Sequence, residues 1–279
     1  MIPLPLGQTH KKVGVVGLGA TGLSCIRYLR QQGFEVTAFD TRPEPPRLGE
    51  VSLRYPDVRV QVGRLEAAQF LDLDFLAVSP GLSLEVPALK AAAERGIPLI
   101  GDVELFARVA PCPVIAITGS NGKSTVTTLV GEICRHAGIR GVVAGNIGVP
   151  VLDALASAAA ADVFVLELSS FQLETTCSLN ARAATVLNIS PDHMDRYRDL
   201  EQYAAAKARI FSGDGLMVLN ADDARVRQMV RPGREVRYFS LSAPLGPQDY
   251  GILSRKGKHA RHPNRKIDRK VVAATRKET

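Results

Sequence analysis

Lys123 and the glycines before it raise the first chemical possibility in this chain. The run VIAITGSNGKSTVTTLVGEI, residues 114–133, sets an apolar β-type stretch, a glycine turn, a lysine and two hydroxyls in the order that grips a nucleoside triphosphate. Gly119 and Gly122 let backbone N–H groups converge on phosphate oxygens, and Lys123 reaches the terminal phosphates as a point charge. Ser124 or Thr125 can place a hydroxyl on Mg2+, and Ser120 and Asn121 complete the expected ATP-binding set. The usual pattern, G-x-x-x-x-G-K-[ST], requires glycine where this chain has Ile117. The strand, loop and helix nevertheless follow in the required order, so the turn is read as an ATP site.

A second glycine loop lies a hundred residues upstream. In Gly17-Leu18-Gly19-Ala20-Thr21-Gly22 the first glycine permits a tight turn, the second lets a diphosphate approach the backbone, and the third allows close packing of helix on strand. The helix that follows offers free N–H groups and partial positive charge. Asp40 ends the next strand, where a ribose-binding acid would stand. Alone, this loop suggests an NAD-dependent oxidoreductase. The Lys123 loop has no use in that chemistry and argues against it.

The elements that must carry these loops alternate. KKVGVVGLG, EVTAFD, DFLAVSPG and IPLIGD read as strands, and TGLSCIRYLRQQG and VPALKAAAERG as helices. This βαβ rhythm predicts a mostly parallel sheet covered on both faces. Pro111 and Pro113 interrupt the helical run DVELFARVA, after which the pattern starts over with VIAIT and its glycine loop. DVFVLEL, AATVLNI and GLMVLN follow as apolar strands, with a helix in LEQYAAAKARIF. The fold class is therefore α/β: a Rossmann-like domain at 1–101, a P-loop-type mostly parallel ATPase domain at 102–245, and a basic, disordered tail at 246–279.

Composition sets the remaining bounds. The net charge of +7 belongs to the tail, since residues 252–279 hold ten Lys and Arg against two acids and leave the first 251 residues at −1. The tail has no aromatic interleaving and no recognition helix, so a solvated end is expected rather than a nucleic-acid contact. No apolar run reaches membrane-spanning length, and the N-terminal lysines follow rather than precede the short apolar stretch of the start, the reverse of a signal peptide. Cys25, Cys112, Cys134 and Cys177 are scattered, without metal or redox spacing, as expected of a reduced cytosol. Nothing demands more than a monomer.

The segments GLGATGLSCIRYL, DTR at 40–42, VSPG at 78–81, GDVELF at 101–106, TGSNGKST, GNIG at 145–148, VLELSSFQLE at 165–174, NISPDHMDRY at 188–197 and YAAAKARIF at 203–211 together resemble the Mur ligases. These are ATP-dependent amide-forming enzymes of bacterial cell-wall assembly. The likeness covers roughly the first 250 residues and is strongest to the branch that adds D-glutamate to UDP-N-acetylmuramoyl-L-alanine. It implies a cytoplasmic ligase in which a substrate carboxylate takes the γ-phosphoryl of ATP and the resulting acyl phosphate meets the amine of D-glutamate. By resemblance Gly19, Ala20, Thr21, Asp40, Thr41, Arg42 and Gly81 hold the uridine diphosphate, and Asn146 and Ser169 lie near the acyl end. Lys123, Glu167, His193 and Lys207 are the implied catalytic set. Ser124, Glu167, His193 and Lys207 are the implied ligands of two Mg2+ ions, Lys207 after carbamylation by CO2.

Each of these residues also has a plainer reading. Glu167, on an apolar strand, could cap a neighbouring helix, although an unpaired buried carboxylate is costly enough to favour a cation. His193 could be structural, and Lys207 a solvent-facing lysine on an Ala-rich helix. The family's third domain and its G-x-H-N-x-x-N segment find no match after residue 251. The chain as written is accordingly expected to bind a UDP-sugar, and ATP weakly, without ligating. The alternatives are a silent sugar-nucleotide-binding fragment or a Mur ligase for another amino acid.

Overall fold

The computed structural model describes residues 11–158, 160–255 and 258–260. In chain order the first elements are β1 (Lys12–Val16), α1 (Ala20–Gln31), β2 (Glu35–Asp40), α2 (Leu48–Arg54), β3 (Arg59–Val62), β4 (Phe75–Val78), α3 (Pro87–Glu94), β5 (Leu99–Ile100) and α4 (Asp102–Ala107). There follow β6 (Val114–Thr118), α5 (Lys123–His136), β7 (Gly141–Gly145), α6 (Val151–Ser157), β8 (Val163–Glu167), α7 (Ser170–Glu174) and β9 (Ala183–Val186). The last are α8 (Leu200–Ala208), β10 (Leu216–Asn220), α9 (Ala224–Arg227), β11 (Val236–Phe239) and the short pair β12 (Leu253–Arg255) and β13 (Lys258–Ala260).

Two compact units result. The first contains a five-stranded parallel sheet in the order β3-β2-β1-β4-β5. Valine, phenylalanine and alanine fill the central strands β1 and β4, whose residues from Val13 to Val16 and from Phe75 to Val78 are all buried. Sheets covered by helices on both faces bury such runs, which explains why the residues do not alternate with polar ones. One face packs Val16, Phe39, Phe70, Leu76 and Leu89 into a single cluster, in which the rings of Phe39 and Phe70 meet edge to face at 5.1 Å. The chain crosses from the β2 side to the β4 side of β1, so the glycine turn after β1 opens at a switch point, where such sheets bind ligands.

The second unit is built on a six-stranded parallel sheet, β11-β10-β9-β6-β8-β7, with the strand before Lys123 at its centre. Strands β8 and β9 flank β6, so the segments after all three share one edge of the sheet. Ile117, the residue at the missing-glycine position, is 1 % exposed and belongs to β6, in register with Glu167 on one side and Thr185 on the other. The bend begins only at Gly119, with φ +156°, and ends at Gly122, with φ +80°.

The compact units do not follow the linear order of the chain. Residues 102–110, 148–157 and 170–179 pack within the first unit, which contains α4, α6 and α7 as well as the first sheet. Asp153 of α6 accepts from Ser24 Oγ at 2.8 Å and pairs with Arg27 at 2.6 Å. The carboxylate of Glu104 accepts from the N–H groups of Cys177 and Ser178, at 2.6 and 2.8 Å, and pairs with Arg108. The expected boundary between residues 101 and 102 coincides with the end of the first sheet, whereas the compact units divide at 110 and 111. The difference arises from these acid-centred contacts.

Three strands of the two main sheets had no counterpart in the sequence reading, β3, β7 and β11. All three are edge strands, and none has the continuous burial that marks the central ones. Within the stretch read as a disordered tail, β12 and β13 pair antiparallel. Residues 256, 257 and 261–279 of that tail lie outside the described residues.

Candidate functional site

The first glycine loop is held by an acid that the sequence reading assigned to ribose. Asp40 is 2 % exposed, and its Oδ2 accepts from Leu18 N–H at 2.7 Å, inside the loop. Its other contacts are to Arg42: the backbone N–H at 2.9 Å, and the guanidinium at 2.8 and 2.7 Å. The Arg42 hydrogen bonds, together with those from Leu18, hold the Asp40 carboxyl down at about 2 against burial, so it stays ionised. Ser79 closes the other side, donating Oγ to Gly17 O and its N–H to Val16 O. A Cβ on Gly22 would overlap Gly17 O, which accounts for glycine there, whereas the space beside Gly19 is open. Ala20, Thr41, Arg42 and Gly81 are exposed and Thr21 is half-buried.

In the second unit, Lys123 Nζ donates to Gly119 O and Ser120 O, both at 3.0 Å, and so lies folded back over its own loop. Ser124 and Thr125 stand exposed on the first turn of α5, where the leading N–H groups have no intrahelical partner. Glu167 ends β8 with 1 % exposure. Its Oε1 accepts from Asn146 Nδ2 at 2.8 Å, and Asn146 N–H is bonded to Glu167 O, while the buried Oε2 has no partner. Gly145 (φ +114°) makes this possible, because a Cβ there would run into the Glu167 carbonyl.

Lys207 is buried at 1 % exposure, not solvent-facing. Its Nζ donates to Thr118 Oγ1 at 3.3 Å and sits 4.7 Å from the centre of the Tyr203 ring. Burial, and then the Lys123 charge, lower its pKa to about 7, while Asp192 and Glu167 pull the other way. The four charged groups Lys123, Glu167, Asp192 and Lys207 therefore share one electrostatic neighbourhood. His193 lies across the same tyrosine, with ring centres 6.5 Å apart, and its Nε2 is 3.6 Å from Asp192 Oδ2. Its backbone occupies the left-handed region at φ +55°, uncommon for a residue with a side chain. Ser169 is half-buried at the end of the β8 segment.

A divalent cation fits this corner. The orphaned Oε2 of Glu167 is a buried carboxylate oxygen that needs a partner. Among the described residues no group of three or more His, Cys, Asp or Glu gathers to hold a metal. Water and phosphate oxygens would complete the shell, the coordination Mg2+ prefers. The sequence reading missed Thr118, Asp192 and Tyr203, which shape the surroundings of Lys207. Asp192 lies inside the motif NISPDHMDRY, and helical spacing puts Tyr203 one turn before Lys207, but nothing in the sequence announces that Thr118 stands beside that lysine. A cleft of about 560 Å3 beside α5 and β7 holds none of these groups, and the charges along it are paired, Glu132 with Arg135 and Arg140 with Asp162.

A parallel sheet with a glycine turn at its switch point, followed by a second bearing a lysine loop, a buried carboxylate and a buried lysine, defines a two-sheet α/β protein of the Rossmann-like and P-loop type. Residues 11–101 match the family described as Mur ligase MurD-like, N-terminal domain, and residues 117–255 match the Mur ligase middle domain. The chain belongs to the Mur ligase family, of which it carries the N-terminal and middle domains. It is 56 % identical over 249 residues to the UDP-N-acetylmuramoylalanine--D-glutamate ligase of Methylobacillus flagellatus, covering 88 % of this chain and 54 % of that one. The enzyme of the same name from Nitrosococcus oceani is 50 % identical over 243 residues, with 87 % and 53 % covered. The chain thus spans about half the length of these relatives. Among solved structures, the UDP-N-acetylmuramate:L-alanyl-gamma-D-glutamyl-meso-diaminopimelate ligase from Neisseria meningitides shares the fold, with TM-score 0.55 at 18 % identity over 90 % of this chain and 83 % of that one. Among the described residues no helix is long and apolar enough to cross a membrane.

Proposed function

We propose that this chain works in the ATP-dependent joining of D-glutamate to UDP-N-acetylmuramoyl-L-alanine, in the cytoplasm, as a step of peptidoglycan synthesis. In this reading the first unit anchors the substrate by its uridine diphosphate. Gly19, Ala20 and Thr21 present the α1 N-terminus to the diphosphate, and Asp40, Thr41, Arg42 and Gly81 surround the uridine. The second unit holds ATP over residues 119–125. Lys123, now bonded to loop carbonyls, turns to the terminal phosphates when they arrive. Asn146 and Ser169 lie near the acyl end of the substrate.

The substrate carboxylate attacks the γ-phosphorus, ADP leaves, and an acyl phosphate forms. The amine of D-glutamate then attacks the acyl carbon and phosphate departs. Both steps crowd negative charge, so the chain contributes mainly position and compensating charge. Mg2+ bound by Glu167 and the Ser124 hydroxyl would neutralise phosphate oxygens. A second ion would engage His193 and a carbamate on Lys207. A lysine with its pKa near 7 is substantially neutral at physiological pH, and its free amine adds CO2 to give a carbamate and a proton. The observation that carries the proposal is the unpartnered Oε2 of Glu167, one strand away from the Lys123 loop and within the field of Lys207.

The test is paired equilibrium binding of UDP-N-acetylmuramoyl-L-alanine and of a non-hydrolysable ATP analogue with Mg2+. The two are expected to bind one each without competing, with Arg42→Ala weakening only the first and Lys123→Ala only the second. Competition between them, or no affinity for the sugar nucleotide, refutes the reading. In ligation assays of the complete, three-domain enzyme, Lys207→Ala is expected to lose product formation and to regain it with added short-chain carboxylate.

A further inference from the structure

The phosphate loop is held from outside itself, by the residues that leave β9. Asn188 presents its side-chain amide edge-on to the backbone of Asn121, accepting from Asn121 N–H through Oδ1 at 2.8 Å and donating Nδ2 to Asn121 O at 3.1 Å. The Asn188 carbonyl accepts from Ser120 N–H at 3.0 Å. Ser190 continues the pairing: its N–H donates to Ser120 Oγ at 2.9 Å, and its Oγ accepts from Asn121 Nδ2 at 3.2 Å. The brace is itself anchored, since Ile189 N–H donates to Asp223 and Asn220 Nδ2 to Leu187 O, each at 2.8 Å.

This arrangement answers the missing glycine. With Ile117 committed to the sheet, the turn has only residues 119–122 in which to bend, and little of its own chain to keep it open. A carboxamide is the side chain that can meet both the backbone donor and the backbone acceptor of one residue. Its pairing engages the N–H groups of residues 120 and 121. Those of residues 122–125, at the start of α5, are left without intrahelical partners and aimed along the helix dipole. A phosphate would therefore be gripped by the helix end, while residues 120 and 121 set the curvature.

We propose that Asn188, outside the glycine loop, is the positioning residue that holds the loop open for the triphosphate, with Ser190 in support. The proposal rests on the ATP-binding reading of residues 119–125. The test is titration of the 279-residue chain and its Asn188→Ala variant with Mg2+ and AMP-PNP, alongside amide hydrogen exchange at residues 120 and 121. Loss of two hydrogen bonds is expected to raise the dissociation constant roughly tenfold, with faster exchange at Asn121. Asp223→Ala, which removes the neighbouring brace on Ile189, supplies the control for general loosening. At matched stability it is expected to weaken the analogue less than Asn188→Ala does. Equal weakening by both variants, or an Asn188→Ala affinity within twofold of wild type, overturns the proposal. Should Asn188→Ala be insoluble, Asn188→Ser, whose hydroxyl is too short to reach both groups, takes its place under the same criteria. Failure of the unaltered chain to bind AMP-PNP at all refutes the ATP reading instead, and the positioning role falls with it.

Discussion

Replacing Lys207 by methionine is expected to make the protein more stable while removing function. Lys207 is 1 % exposed, and its partners are one long hydrogen bond to Thr118 and the face of Tyr203. Its pKa falls from 10.5 to about 7 because burial, and next the Lys123 charge, disfavour the ammonium. At about 1.4 kcal/mol per pKa unit this sets a ceiling of roughly 5 kcal/mol well below pH 7, and about 4 kcal/mol at pH 7, where half the folded population is already neutral. Relaxation and water entry reduce such penalties in real proteins, so a gain of about 2–4 kcal/mol is expected for Lys207→Met, which keeps the apolar stem and drops the charge. The sign follows from proton counting. Between pH 7 and 10.5 the unfolded chain holds the lysine proton and the folded chain has released it, so wild-type stability rises with pH across that window. The gap between variant and wild type should therefore be widest at or below pH 7 and close toward pH 10. Urea unfolding in CO2-free buffer at pH 7, 8, 9 and 10 measures it. A methionine variant no more stable than wild type at pH 7, or a gap that widens with pH, refutes the argument.

Asp40→Asn is expected to cost about 1–2 kcal/mol at pH 6, discounted from the full pKa shift because Arg42 is half exposed. The Asp40 contribution is present above pH 4 and disappears as pH falls toward 2, so the wild-type advantage in urea unfolding should shrink over that range. Glu104→Ala removes the acceptor for Cys177 and Ser178 N–H and breaks the ion pair with Arg108, at a cost of about 2–4 kcal/mol. Faster amide exchange at residues 177 and 178 should accompany it. Gly145→Ala, strained at φ +114° and pressed on the Glu167 carbonyl, should displace that carboxylate. Its signature is loss of the Mg2+ dependence of ATP-analogue affinity.

The central strands and both glycine loops were legible in the sequence because their signals are local. Runs such as KVGVV and VFVLE announce burial on two faces, and the glycines mark the turns that follow strands. The edge strands β3, β7 and β11 escaped because an edge lacks that uniform apolarity, and β7 is bounded by glycines at both ends. The assignment of α4, α6 and α7 to the first unit escaped for another reason. It depends on pairs far apart in the chain, Ser24 and Arg27 with Asp153, and Glu104 with Ser178, which no local pattern records. The environment of Lys207 is of the same kind, since helical spacing places it near Tyr203 but only the sheet order brings Thr118 and Glu167 within its field.

The two cradles share one physical device and differ in how each is braced. Neither α1 nor α5 carries an acid in its first turn, whereas α4 and α8 do, and α8 and α9 are capped by Asp199 and Asp223. α3 and α7 lack a first-turn acid too, but only at α1 and α5 does that uncompensated positive end follow a glycine turn after a central strand, as an anion site requires. The first loop is pinned by a carboxylate, and Arg42 cancels that charge, so little of it reaches a bound diphosphate. The second is pinned by neutral groups, Asn188 and Ser190, which add no charge beside a triphosphate. An acid in place of Asn188 would put a negative charge beside the oxygens that Lys123 must meet. Asn188→Asp, which keeps the acceptor for Asn121 N–H, should therefore bind Mg2+ and AMP-PNP more weakly than Asn188→Ala, with the difference shrinking in high salt as screening predicts. A difference indifferent to salt would mean that hydrogen-bond geometry alone, without charge, determines which side chain can brace this loop.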